Sequence, residues 1–202
     1  MQGDDTGDKV LVDYAKDYIR EQSNKPGNIF CGLVHRLDRP VSGLVVLAKT
    51  SKALERMNKI FATREVEKTY WAIVKQMPPQ TEGTLVHFLL KNTQKNITTA
   101  YKTEVQGSQR AELSYKLLSK LTDGLCLLEV KPKTGRPHQI RVQLASMKCS
   151  IVGDVKYGYP TLNKDASIHL HARQLEFIHP VQKEMIKVVA DVPKEALWNN
   201  LR

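Results

Sequence analysis

His35-Arg36-Leu37-Asp38-Arg39-Pro40-Val41-Ser42-Gly43 leads without a break into Leu44-Val45-Val46-Leu47-Ala48, so a dense polar cluster is held directly against an apolar run. That run is rich in Val and too short for an ordinary helix, which predicts a strand buried on both faces. Asp38 stands between Arg36 and Arg39. Flanking guanidinium groups favour the charged form of a carboxylate, and this makes Asp38 a candidate nucleophile or base. An Asp beside Pro and Gly also serves elsewhere as a turn cap that ties down neighbouring N–H groups.

Working outward, the apolar residues between Val10 and Arg20 recur at helical spacing, and Asn24-Lys25-Pro26-Gly27 punctuates them. Thr50 or Ser51 can cap a second helix with Leu54, Met57, Ile60 and Phe61 on one face and Lys52, Glu55 and Lys59 elsewhere. Thr69–Val74 and Leu125–Val130 read as strands, the first ending near Pro78-Pro79. The polar composition from Lys91 to Lys102 predicts an exposed hairpin or loop. Pro137 suits the first turn of a helix carrying Ile140, Leu144 and Met147, and Ile168–Ile178 predicts one or two further strands. Strands and helices mix without a regular βαβ alternation, which points to α+β.

The chain has 202 residues, enough for one substantial core, and it is read as a single domain over 1–202. Lys and Arg number 31 against 21 Asp and Glu, net +10, the electrostatic footprint of a protein that meets phosphates as well as of a generic basic protein. Its longest uncharged apolar stretch falls far short of the roughly 20 residues that span a bilayer. No basic-then-apolar start marks a secretory signal, so a cytoplasmic location and no membrane are expected. Cys31, Cys126 and Cys149 are odd in number and lack a C-x-x-C spacing; they read as buried small hydrophobes rather than as disulfides or metal ligands.

Two more polar constellations follow the first. Thr134-Gly135-Arg136-Pro137-His138-Gln139-Ile140-Arg141 is a turn feeding a helix, with His138 and Arg141 three apart and on one face. Gly153-Asp154-Val155-Lys156-Tyr157-Gly158 is a second polar turn. Taken in order, these segments resemble the RluA-type family of RNA pseudouridine synthases, whose hallmark is H-R-L-D-R-x-T-S-G-L-x-x-x-A-K. Glu67-Lys68-Thr69-Tyr70 looks like the family's K-x-Y motif, and the similarity extends through His169-Leu170-His171-Ala172 and Phe177-Ile178-His179-Pro180. It runs from about Gly7 to Trp198.

The resemblance implies a pseudouridine synthase fold: α+β, a mixed, mainly antiparallel sheet with flanking helices and loops, and a central RNA-binding cleft. Asp38 falls on the catalytic aspartate, Tyr70 on the tyrosine that packs against the target base, and Arg141 on the basic residue that pairs with the aspartate. It also implies a ribosomal or transfer RNA substrate, no cofactor, no metal, and a monomer. Arg36, Arg39, Lys91, Lys95, Lys131, Lys133, Arg136 and His138 are candidate RNA-binding residues, with Lys102 and Arg173 in or near segments expected to border the cleft.

Val41, Pro137, Gln143, Lys148 and Ser150 depart from the family pattern. Lys148 lacks glycine's freedom at a left-handed cap, so an altered helix end is expected there. Family domains usually open with a strand ending in a K-P-x-G turn, which is expected to be lacking here, and this predicts an exposed sheet edge or an unpartnered surface near Leu44–Lys49. Other functions compete for the same residues. A kinase would place Asp directly after the Arg of His35-Arg36. A glycosidase needs a second carboxylate, for which Asp154 is the candidate. A metal enzyme could use His169 and His171, though without a recognisable third ligand. An RNA-binding domain that keeps the fold without activity is the remaining alternative.

Overall fold

The apolar run after Gly43 is not one buried strand. In the computed structural model, which describes residues 9–23 and 27–199, it is shared between two strand pairings. Ser42–Gly43 (β2) lies parallel to a later strand, with Gly43 opposite Ala172, and the Leu44 N–H donates to the Ala172 carbonyl at 3.0 Å. Leu47–Ala48 (β3) instead pairs antiparallel with Gly32–Leu33 (β1). Gly43 makes the close approach of β2 to β9 possible. Its φ of +113° is open to glycine, and a Cβ there would come within 2.3 Å of the Ala172 carbonyl oxygen.

Contacts gather in two units. The first takes its described residues from 1–39, 45–66 and 177–186, the second from 40–44, 67–176 and 187–202.

In the first unit, Leu11–Ser23 forms α1 as its periodicity predicts. The turn expected after it lies at residues 24–26, outside the described residues. Thr50 caps Ser51–Ala62 (α2) by accepting the Ala53 N–H at 3.1 Å. Met57 is buried, Leu54, Ile60 and Phe61 are half-buried, and Lys52, Glu55 and Lys59 face solvent. His35 ties the polar stretch to this layer: its ring stacks on Phe61 at 4.8 Å, and its Nε2 accepts the Val46 N–H at 3.1 Å. Among the described residues, β3 is bordered in its two-stranded sheet by β1.

The second unit is built on a sheet of Glu67–Val74 (β4), Glu82–Asn92 (β5), Ile97–Tyr101 (β6), Gln109–Lys120 (β7), Cys126–Pro132 (β8), Leu170–Ile178 (β9) and Met185–Val189 (β10). The order is β10-β9-β4-β8-β7-β5-β6, with β2 beside β9. The registered pairings β4–β8, β4–β9, β5–β6, β5–β7 and β7–β8 are antiparallel, and β2–β9 is parallel. The polar segment from Lys91 to Lys102 is the β5–β6 hairpin and its exit.

Side chains alternate across this sheet. On one face, Ala72, Val74, Leu113, Tyr115, Leu128 and Val130 pack with Ile140 and Leu144 of Gln139–Ser146 (α3). On the other, Ile73 and Leu127 pack with Val152 and with Trp198 of Ala196–Asn199 (α4). Cys31, Cys126 and Cys149 are buried free thiols, and burial pushes the Cys149 thiol up to about 11.

Lys148 corrects one expectation. It takes the left-handed conformation itself, at φ 65°, and α3 ends in an ordinary way, with the Cys149 N–H donating to the Leu144 carbonyl at 3.1 Å.

Candidate active site

Asp38 lies in the first unit, directly after the buried anchor Leu37; it is half-buried, and Arg36 and Arg39 are exposed. Tyr70 and Arg141 lie in the second unit. The segment 40–44, which follows Asp38 by one residue, also belongs there. Four contacts tie it down: the Pro40 carbonyl accepts the Ile168 N–H at 2.9 Å, Val41 packs on the core, Ser42 Oγ sits 2.8 Å from His171 Nδ1, and Gly43 abuts Ala172.

Tyr70 is placed by β4. Its neighbours in register are Val130 on β8 and Ala172 on β9, and the β4–β9 ladder shifts between Thr69 and Tyr70. Continuing across the sheet, Gly43, Ala172, Tyr70, Val130, Tyr115 and Gly83 form one lateral row. Cross-strand partners share a face. Tyr70 is therefore half-buried on the face that carries α3, where it packs against the core.

Arg141 is placed by α3, and α3 by the turn before it. Gln139 Oε1 accepts the Thr134 hydroxyl at 2.7 Å and the Arg136 N–H at 3.0 Å, while its Nε2 donates to the Glu112 carbonyl at 3.0 Å. Thr134 Oγ1 in turn accepts the Glu112 N–H at 2.9 Å. These bonds fasten the helix start to β7. Arg141 is 5% exposed and Asp154 1% exposed. The Arg141 Nε donates to Asp154 Oδ2 at 2.7 Å and an Nη to Oδ1 at 2.8 Å, a two-pronged pair. The guanidinium also lies over the Tyr157 ring, 5.0 Å from its centre. Burial pushes the Tyr157 phenol up, so it stays protonated as a hydrogen-bonding group.

His138 is not on the helix face shared with Arg141 that its spacing predicts. It precedes α3 in a left-handed conformation, φ 53°. The two residues meet instead at Tyr157, whose hydroxyl is 2.7 Å from His138 Nδ1. Lys91 Nζ lies 3.5 Å from His138 Nε2 and also bonds Asn96 in the β5–β6 turn, where Lys95 is exposed. Arg136 donates through Nε to the Arg110 carbonyl at 3.3 Å.

The other basic candidates stand apart from this group. Lys131 alternates with Val130, so it projects from the face opposite Tyr70, 3.7 Å from Glu129. Lys133 and Arg110 both hold the Glu112 carboxylate, at 2.6 and 2.7 Å, and pull it below the usual carboxylate range. Arg173 lies over Trp71, 4.6 Å from the ring centre. Lys102 is exposed beyond β6.

Asp154 and Tyr157 were missed as members of the site. The signal available for Asp154 was indirect, since an Arg within a buried helix requires an anion and the Gly153-Asp154 turn supplies one. The same geometry removes the glycosidase alternative, because a buried carboxylate committed to Arg141 is not available for acid–base work on a sugar. His169 and His171 have protein partners: His169 bonds Asn163 at 3.1 Å, pairs with Glu195 and stacks on Trp198, and His171 bonds Ser42. No described helix is long and apolar enough to cross a membrane.

Comparison with known proteins shows the family of the chain. Residues 2–146 match the model described as RNA pseudouridylate synthase. A tRNA pseudouridine synthase C of Vibrio parahaemolyticus is 35% identical over 96% of this chain and 82% of its own length. One from Vibrio vulnificus is 36% identical over 96% and 83%. Among solved structures, human RNA pseudouridylate synthase domain containing 4 superposes with a TM-score of 0.76 at 27% identity, covering 91% of this chain and 79% of that one. The chain belongs to the RNA pseudouridylate synthase family and is an isomerase of uridine in RNA.

Proposed function

We propose that the chain converts a uridine of transfer RNA to pseudouridine, with Asp38 as nucleophile or base, Tyr70 as an aromatic wall for the extruded base and Arg141 as the cation that holds Asp38. The observation that carries this reading is the anchoring of residues 40–44 beside Ala172, the register neighbour of Tyr70. Only Arg39 separates Asp38 from that segment, and two peptide units keep the Cα atoms of Asp38 and Pro40 within about 7 Å. Residues 1–202 then work as a single catalytic domain, in the cytoplasm and as a monomer.

The reaction breaks the N1–C1′ bond, turns the uracil and rejoins it through C5, with release of the C5 hydrogen and no change of redox state. Asp38 attacks the ribose or the ring, or takes a ribose proton; each role needs an ionised carboxylate held in place. A guanidinium fork suits that task. Extruding the base costs a few kcal/mol, and stacking on Tyr70 returns roughly 1 to 3 kcal/mol. Lys91, Lys95, Arg136 and His138, on or beside the α3 face, form the RNA-facing set together with Arg36 and Arg39. Lys131 and Lys133 are left out because they stand with the opposite face.

Transfer RNA is favoured over ribosomal RNA by the relatives whose length this chain nearly matches. The tRNA enzymes of Vibrio are covered over 82% and 83%, whereas a ribosomal large subunit pseudouridine synthase C of Buchnera aphidicola is covered over 54%. Pseudouridine mapping of transfer and ribosomal RNA, with and without the chain, tests the assignment. A site that depends on the chain and lies in transfer RNA is expected; one confined to ribosomal RNA refutes it.

A further inference from the structure

We propose that Asp154 is a positioning residue for the reaction, acting through Arg141. The proposal rests on the reading above, in which Arg141 serves Asp38. A guanidinium has five N–H donors in a rigid plane. Asp154 takes the Nε edge with two bonds, of 2.7 and 2.8 Å, which fix both the direction of the plane and its rotation. Other N–H donors remain on its Nη atoms.

The clamp is itself held by the backbone. The Asp154 N–H donates to the Ile151 carbonyl at 3.0 Å, and the Asp154 carbonyl accepts the N–H groups of Tyr157 and Tyr159 at 3.0 and 3.1 Å. The same tight turn therefore presents both the carboxylate at the edge of the guanidinium and the Tyr157 ring beneath it. That ring is fixed in turn, because its hydroxyl accepts the Thr98 N–H at 2.9 Å and bonds His138 at 2.7 Å.

Stability is a poor explanation for this arrangement. A buried ion pair is often no more stabilising than an apolar pair of the same volume, since two charges must be desolvated. What a two-pronged pair supplies is a fixed orientation, and a misplacement of about 1 Å at a reacting group can cost on the order of 100-fold in rate.

The test is a double-mutant cycle on the full chain, with tritium release from a C5-tritiated RNA that the wild-type protein modifies. Asp154→Asn is expected to lower kcat by roughly 100-fold, with KM for RNA unchanged and a cooperative melt retained. In an Arg141→Lys background the same change should have little further effect, because a residue acting through Arg141 loses its route when that group is altered. Wild-type kcat in folded Asp154→Asn, beside an inactive Arg141→Lys, overturns the positioning role and leaves the reading of Arg141 standing. Additive losses overturn it too, since Asp154 would then act elsewhere. Wild-type turnover by Arg141→Lys removes the underlying reading itself. Should Asp154→Asn fail to fold, Asp154→Glu keeps the charge and displaces the guanidinium by about one methylene. Loss of kcat in that folded variant supports positioning, and wild-type kcat overturns it.

Discussion

Replacing Gly43 by Ala tests how the chain after Asp38 is held. Gly43 combines a φ of +113° with a close approach to another backbone: an added Cβ would lie 2.3 Å from the Ala172 oxygen, 2.6 Å from its nitrogen and 2.8 Å from its carbonyl carbon. Backbone cannot swing aside as a flexible side chain can, so β2 must leave β9. A backbone forced into a sparsely populated region costs about 1 to 3 kcal/mol. Loss of the Leu44 N–H bond to Ala172, 3.0 Å in the native chain, adds roughly 1 to 3 kcal/mol if the groups stay buried and unpaired. The sum is on the order of 3 to 4 kcal/mol, and at about 2 to 4 °C per kcal/mol for a chain of this size the melting temperature should fall by roughly 10 °C. Turnover measured well below the melt should fall as well, because the segment that anchors the approach to Asp38 is displaced. Thermal melts followed by circular dichroism, with tritium release measured at about 20 °C, well below the melt, read both effects. A variant melting within about 2 °C of wild type at full turnover would refute the reasoning, since about 2 °C is less than 1 kcal/mol here.

Lys148→Gly should stabilise the chain by about 0.5 to 1 kcal/mol, because glycine adopts at little cost the left-handed conformation that Lys148 holds at φ 65°; denaturant melts check the sign. Burial holds His87 and His171 below the ordinary histidine range, with Lys102 adding to the shift at His87. The unfolded chain, whose histidines titrate near about 6.5, then takes up protons first. Stability contributed by these two groups is full above that pH and is lost as pH falls through it toward the lower folded values, so the melting temperature at about pH 8 should exceed that at about pH 5.5. A flat profile refutes this. RNA affinity should fall steeply with salt if phosphate contacts dominate, and a flat plot of log K against log salt removes that idea.

Local signals were legible where local physics decides. Thr50 and the spacing of Leu54, Met57, Ile60 and Phe61 specified α2, and the polar stretch from Lys91, legible as an exposed hairpin or loop, is the turn from β5 into β6. The run Leu44–Ala48 misled because its composition is that of one strand, while its first residue still bonds β9 and its last two pair with β1. The helix that carries Arg141 was legible, but the partner of Arg141, Asp154, was not, since the choice between carboxylates is made by tertiary packing. Lys131 was legible in principle: it alternates with Val130 on one strand, and that parity alone turns it away from Tyr70.

The most direct test of the account is tritium release from RNA labelled at uridine C5, comparing the wild-type chain with Asp38→Asn. The substitution keeps side-chain volume and removes the reactive charge, so the variant should melt as wild type and bind RNA while releasing no tritium. Wild-type release by a folded Asp38→Asn protein would contradict the assignment of the chemistry to Asp38.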